Sequence, residues 1–258
     1  MAKSPEPKKS KRLIFTSSHK GGVGKTILAR LMTEIYRKEN VPATIFDADG
    51  SVGGLARMYA KPMDVKFYSF RDNPNTLLDS IDAETDVIMH DLPGGSLPQI
   101  SNIVDGGNGE VSGFLDALEE HGVRLTVLHV IDSEIESTQS VREVMKVFDP
   151  TRVDHVVAIN MRESKTKETD FPYWFGYDVE GKRKYGNTRD DFISANGIEI
   201  EIPALQVGTR AKVNGQNIPF SEASGSKLFT ISERSQISKF LKSFEAGLEP
   251  ARKILGLS

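Results

Sequence analysis

The sequence predicts an open, doubly wound α/β fold: one mostly parallel sheet flanked by helices. Short apolar runs alternate with segments of helical periodicity along most of the chain, the pattern of repeated βαβ units. The first strand, a glycine-rich turn, an amphipathic helix and a second strand follow one another within forty residues, which brings a right-handed parallel crossover. A length of 258 residues is within what a single hydrophobic core can support.

Leu13 to Thr16 (LIFT) is the first strand. After the glycine-rich turn, Ile27, Leu28, Leu31, Met32, Ile35 and Tyr36 share one helical face. The next strand candidates are Ala43 to Phe46, Asp86 to His90, Arg124 to Ile131, Val153 to Ile159 and Ile198 to Ile202. Helical patterns cover Ser112 to Glu120, Glu134 to Phe148 and Ser232 to Leu248. The division is a basic tail over residues 1–12, with five cations against Glu6 and no apolar period, then one domain over 13–258. Residues 162–197 are atypical, crowding Phe171, Tyr173, Trp174, Phe175, Tyr177 and Tyr185 among charges. They read as a lid or partner surface over the nucleotide edge, or as a satellite core.

The composition excludes several chemistries. With no cysteine there are no disulfides, thiolate metal sites or cysteine nucleophiles. No apolar run approaches the roughly 18 residues of a membrane span, and the basic N-terminus lacks a signal peptide's apolar stretch, so a cytoplasmic protein is expected. The net charge of −3 means that any nucleic-acid binding must use local basic patches.

The chemistry concentrates in Phe15 to Thr26, FTSSHKGGVGKT, between the first strand and the first helix. Glycines let successive backbone N–H groups turn inward around a polyphosphate, and the helix that starts there adds the positive end of its dipole. Lys20, Gly21, Gly22, Val23, Gly24, Lys25, Thr26 and Ile27 are the nucleotide-binding candidates, Lys25 facing the β and γ phosphates and the Thr26 hydroxyl ligating Mg²⁺. His19 stands where a standard phosphate loop has its first glycine, and Lys20 follows it.

This K-G-G-x-G-K-T arrangement resembles the deviant Walker A motif of the ParA/MinD superfamily of P-loop ATPases. The resemblance implies that Lys20 reaches the nucleotide of a second subunit in an ATP-bound homodimer. Two further motifs stand in the superfamily's order. Asp47-Ala48-Asp49 ends the second strand and resembles switch I, which implies that Asp49 positions the attacking water and that Asp47 supports Mg²⁺ directly or through water. The sequence continues Gly50-Ser51 where the superfamily often has Pro-Gln. Asp86 to Gly95 (DVIMHDLPGG) resembles Walker B and switch II, with Asp91 as the water-bridged Mg²⁺ partner. Asn160, at the end of another strand, and Pro203 correspond to elements that border an adenine, which favours ATP/ADP as cofactor.

The lack of cysteine sets aside the iron-protein and metallochaperone branches. The apolar stripe Ile237, Phe240, Leu241, Phe244 and Leu248 reads as a last core helix, and Glu249 to Ser258 is a poor membrane anchor. A ParA-like, Mg²⁺-dependent dimerising ATPase is therefore expected, acting in plasmid or chromosome DNA partition. It would bind DNA non-specifically, be stimulated by a ParB-like partner, and associate with the nucleoid. The cations proposed to face DNA are the tail, Arg210, Lys212, Lys227, Lys239 and Lys242. The alternatives are a MinD-like positioning ATPase on membrane, and a conjugation or secretion accessory ATPase that binds protein.

Overall fold

The computed structural model describes residues 11–49, 54–184 and 186–258. Its strands are β1 (Lys11–Ser17), β2 (Ala43–Asp47), β3 (Lys66–Phe67), β4 (Val87–Asp91), β5 (Val123–Ile131), β6 (Asp154–Asn160), β7 (Tyr177–Val179), β8 (Lys182–Lys184) and β9 (Ile198–Ile202). Seven form one sheet in the order β3-β2-β4-β1-β5-β6-β9, every pairing parallel. Strands β7 and β8 form a separate antiparallel hairpin.

The helices are α1 (Lys25–Lys38), α2 (Ala56–Met63), α3 (Thr76–Asp79), α4 (Leu97–Ile103), α5 (Ser112–Glu120), α6 (Ile135–Val147), α7 (Lys167–Asp170), α8 (Pro172–Phe175), α9 (Thr188–Ser194), α10 (Val207–Gln216), α11 (Phe220–Gly225) and α12 (Ile231–Gly247). Alternate residues of β1 feed opposite layers. Ile14 joins the core with α1 and α12, whereas Leu13 and Phe15 join the core with α5. Covering both faces is why the central strands read as unbroken apolar runs. The stripe Ile237, Phe240, Phe244 and Leu248 packs into the first layer, and the chain end is buried with it: the Tyr36 hydroxyl donates to the Leu255 carbonyl at 2.9 Å. Thr230 caps α12, its hydroxyl accepting the Glu233 N–H while Glu233 accepts the Thr230 N–H.

Two expectations are corrected. Lys11 and Arg12, assigned to the basic tail, are the first residues of β1, in register with Val123 and Arg124. Arg12 is buried and paired with Asp154 on β6, so its charge is matched inside the sheet's edge rather than offered to solvent. Lys3, Lys8 and Lys9 lie outside the described residues.

The aromatic segment does not lie over the nucleotide edge as a unit. Phe171 and Trp174 are buried with Phe192, Val141, Val157 and Ile159 in a satellite core. The Trp174 ring meets Phe192 edge-on at 5.5 Å, and its indole N–H donates to Glu199 at 2.7 Å. A tryptophan with both its area and its N–H satisfied is a core residue. Tyr173 and Tyr177 remain exposed at the root of the hairpin, and Tyr185 lies outside the described residues.

Candidate nucleotide-binding site

The candidate residues gather at the carboxyl ends of the strands, where β1 lies between β4 and β5. That position is the switch point of a doubly wound sheet, where neighbouring crossovers diverge and leave a crevice. The loop after β1 is held on two sides. The His19 backbone N–H donates to the Ser140 hydroxyl of α6 at 3.0 Å, and its imidazole lies 3.4 Å from Glu143. The residue in the place of the usual first glycine thus anchors the loop to α6. On the other side the Gly95 N–H, in the loop after β4, donates to the Ser18 carbonyl at 3.2 Å.

Gly24 has φ +113°, and a Cβ there would stand 2.4 Å from Asn160 Nδ2, so the position requires glycine. Helix α1 begins at the next residue. Gly24 supplies no side-chain cap and the first turn has no acid, leaving an uncapped positive helix end. Gly21 and Gly22 are exposed with open space at the Cβ position. Lys25 is buried, and desolvation lowers its pKa against the pull of Asp91 and Asp49.

The acids end two neighbouring strands, with Asp47 and Asp91 in direct register. Asp91 is held by hydroxyls: Thr16 donates to it at 2.8 Å and Thr26 of α1 also hydrogen-bonds to it. Burial nonetheless raises its pKa from 3.8 to about 6. Asp47 is engaged differently. One oxygen accepts the Leu55 and Ala56 N–H groups at 2.8 and 2.7 Å, and the other accepts the Asp49 N–H at 3.2 Å. Through these three amides Asp47 ties Asp49 to Leu55 and Ala56. The half-buried Asp49 lies close enough to Lys25 to act on its charge. Gly50-Ser51 is outside the described residues.

A cleft of about 210 Å³ opens beside the loop, lined by Lys20, Gly22, Val23, Asn160, Asp132 and Arg162 among others. The Asn160 amide donates to the Val23 carbonyl at 2.6 Å and its oxygen accepts the Arg162 N–H at 3.1 Å. Lys20 stands 3.8 Å from Asp132 of its own chain. Ile27 is half-buried against the first core layer, which leaves its backbone rather than its side chain to face a ligand. Pro203 is not in this cleft; it borders a separate cavity of about 260 Å³ with Ile159, Lys167 and Gly247. Sequence reasoning missed Asp132, although it directly follows the apolar strand β5 much as Asp47 and Asp91 close theirs.

The residues fit a magnesium nucleotide. The exposed glycines, the uncapped helix end and buried Lys25 form a cradle for phosphates. Among the described residues no three His, Asp or Glu side chains converge as a metal cage. That donor set suits an ion held by one hydroxyl, one carboxylate and phosphate oxygens rather than by protein alone.

No protein-family profile matches this chain, and no curated protein matches it. Solved structures do. The MinD cell division protein of Aquifex aeolicus aligns over 96% of this chain and 98% of its own at 15% identity, with a TM-score of 0.53. The MinC:MinD cell division protein complex of the same organism aligns over 96% of both chains at 15% identity, with a TM-score of 0.51. At such identity the likeness is one of fold: this chain shares with those MinD proteins a parallel sheet flanked by helices.

Proposed function

We propose that this protein is a ParA-like, Mg²⁺- and ATP-dependent ATPase that dimerises when ATP is bound, binds DNA without sequence preference, and is reset by hydrolysis stimulated by a ParB-like partner. The observation that carries the nucleotide part is the arrangement of buried Lys25, half-buried Thr26 and buried Asp91 around the uncapped start of α1. The loop amides and Lys25 would hold the β and γ phosphates, with the Thr26 hydroxyl and Asp91 facing the cation. Mg²⁺, when bound, neutralises charge that develops on the phosphate oxygens. Asp49, half-buried near Lys25, is the residue proposed to orient the attacking water, and Lys20 the residue proposed to act on a partner subunit's nucleotide. ATP rather than GTP rests on the family resemblance of Asn160.

Support for a DNA surface comes from α12. Lys239 and Lys242 join Arg234 along a groove of about 630 Å³ whose lining includes Ser224, Ser235, Ser238 and Ser243 and no acid. Cations and hydroxyls are the side chains that meet phosphates. Lys212 is less available, paired with Glu233 at 2.9 Å and lying over the Phe229 ring. Arg210 is half-buried near Arg162, and Lys227 is exposed.

A MinD-like positioning ATPase is the second reading, favoured by Leu228 and Ile231, which are 59% and 76% exposed beside Lys227 and Arg234. Apolar side chains next to cations suit an anionic lipid surface. Among the described residues no helix is long and apolar enough to cross a membrane. A DNA shift assay and vesicle sedimentation, each with Mg-ATP and Mg-ADP and with the oligomeric state measured alongside, separate the readings. Retention on DNA in ATP alone is the expected result; binding to vesicles instead selects the second reading, and binding to neither favours a protein partner.

A further inference from the structure

Helix α1 carries two buried charges one turn apart, Arg30 and Glu34, on the face that begins with Thr26. Each joins the same two parts of the molecule. Arg30 donates through Nη2 to the Gly54 carbonyl at 2.7 Å and through Nη1 to Asn214 Oδ1 on α10 at 2.9 Å. Glu34 Oε1 accepts the Tyr59 hydroxyl of α2 at 2.8 Å and the Ser221 N–H of α11 at 3.0 Å. The Tyr59 oxygen in turn accepts the Phe220 N–H at 3.3 Å.

The first partner of each charge belongs to the Gly54–Met63 segment, which Asp47 holds at Leu55 and Ala56 and whose Gly54 lies against Thr26. A Cβ at Gly54 would stand 3.1 Å from Thr26 Cγ2. The second partner belongs to the α10–α11 block, which borders the cationic groove through Ser224. Nothing about core packing demands two buried charges at these positions, since apolar residues would fill the same volume. The arrangement is also incomplete: among the described residues Arg30 Nε is buried without a hydrogen-bond partner. An unpaired buried donor is costly.

We propose that Arg30 and Glu34 are positioning residues that couple the Gly54–Met63 segment to α10 and α11, so that the nucleotide state sensed beside Thr26 is passed to the groove on α12. This rests on the nucleotide-switch reading above and adds the route by which the switch reaches its surface.

The test uses the full chain with Asn214→Ala, Asn214→Asp and Tyr59→Phe, none of which faces the nucleotide. Hydrogen exchange is followed over residues 207–225 in the nucleotide-free state and with Mg-ATPγS, and nucleotide affinity is measured by calorimetry. In the parent, ATPγS should slow exchange across 207–225 at least fivefold. Asn214→Ala and Tyr59→Phe should bind ATPγS within about twofold of the parent yet lose most of that protection. Asn214→Asp keeps the acceptor for Arg30 and should retain it, so the conservative variant serves as rescue if Asn214→Ala proves unstable. A merely structural role predicts lower melting temperatures with the nucleotide response intact, and that result would overturn the proposal. A parent that binds ATPγS without protecting 207–225 also overturns it. A parent that binds no nucleotide removes the switch reading and the coupling together, whereas protection without any DNA binding removes only the DNA surface.

Discussion

The side-chain amide of Asn160 donates to the Val23 carbonyl at 2.6 Å, tying the end of β6 to the phosphate loop 137 residues earlier in the chain. Its oxygen is taken by the Arg162 N–H, so both ends of the amide serve backbone. Removing it leaves a buried carbonyl unpaired, at a cost of about 1–3 kcal/mol. Asn160→Ala should weaken ATP binding by about tenfold or more in calorimetry through the loosened loop, and should lose the preference for ATP over GTP. An equal loss for both nucleotides would confine Asn160 to holding the loop and remove the adenine reading.

Lys25→Ala should abolish tight nucleotide binding, because it removes the buried ammonium at the uncapped start of α1. Lys20→Ala should leave binding in place, since Lys20 stands at the cleft's rim 3.8 Å from Asp132. It should lose dimer formation or turnover, read by light scattering and phosphate release. Parent-like hydrolysis by Lys20→Ala would remove the cross-subunit role. Asp49→Ala should yield a dimer that keeps ATP and hydrolyses it very slowly, because the water loses its orienting carboxylate while Thr26 and Asp91 remain.

How far the sequence reveals this site depends on what local pattern can encode. Strands buried on both faces declare themselves as apolar runs, and the alternating edge strand Ile198–Ile202 and the helix Ser112–Glu120 match their expected bounds. Charges that are neutralised at long range do not. Lys11 and Arg12 read as tail because Asp154, the partner of Arg12, is 142 residues away. The same blindness hides Ser140 beneath His19 and the pairing of Trp174 with Phe192. Asp47 was legible as a strand-end acid, but its three amide partners belong to the loop geometry and to no motif.

Asp91 gives a pH signature. Its folded pKa of about 6 exceeds the ordinary 3.8, so protonation favours the folded metal-free chain. That contribution is complete below about pH 4 and is lost as the pH rises through 6, a change of about 3 kcal/mol. Buried His90 and His155, lowered to about 3 and about 4, act in the opposite sense on acidification. The comparison is therefore variant against parent at each pH. Beyond a constant offset from altered hydroxyl contacts, Asp91→Asn should gain on the parent between pH 4 and 7 in urea unfolding, and should lose stabilisation by Mg-ATP. A pH-independent difference would refute the assignment.

Trp174 should emit at short wavelength and ignore the exchange of ADP for ATP, because its ring is enclosed by the satellite core and its N–H is held by Glu199. Trp174→Ala should cost about 3–5 kcal/mol of stability while leaving nucleotide affinity unchanged in the folded fraction. A nucleotide-dependent emission shift would return this segment to the switch machinery.

The α12 groove makes the DNA reading quantitative. If Arg234, Lys239 and Lys242 each neutralise a phosphate, the log–log salt slope of binding should become shallower by about 0.9 for each cation removed. The charge-neutral variants Lys239→Gln and Lys242→Gln should act additively, because both side chains are exposed and neither has an ion-pair partner among the described residues. Lys212→Gln serves as the contrast. Its ammonium is already paired with Glu233, so its removal should change the slope much less while loosening the contact between α10 and α12. Shape or sequence preference should not change in any of the three, because contacts to phosphates carry no base information. Should all three variants alter the slope equally, binding would depend on the overall charge of this face rather than on the groove, and equal binding by the double variant and the parent would move the DNA surface elsewhere on the chain.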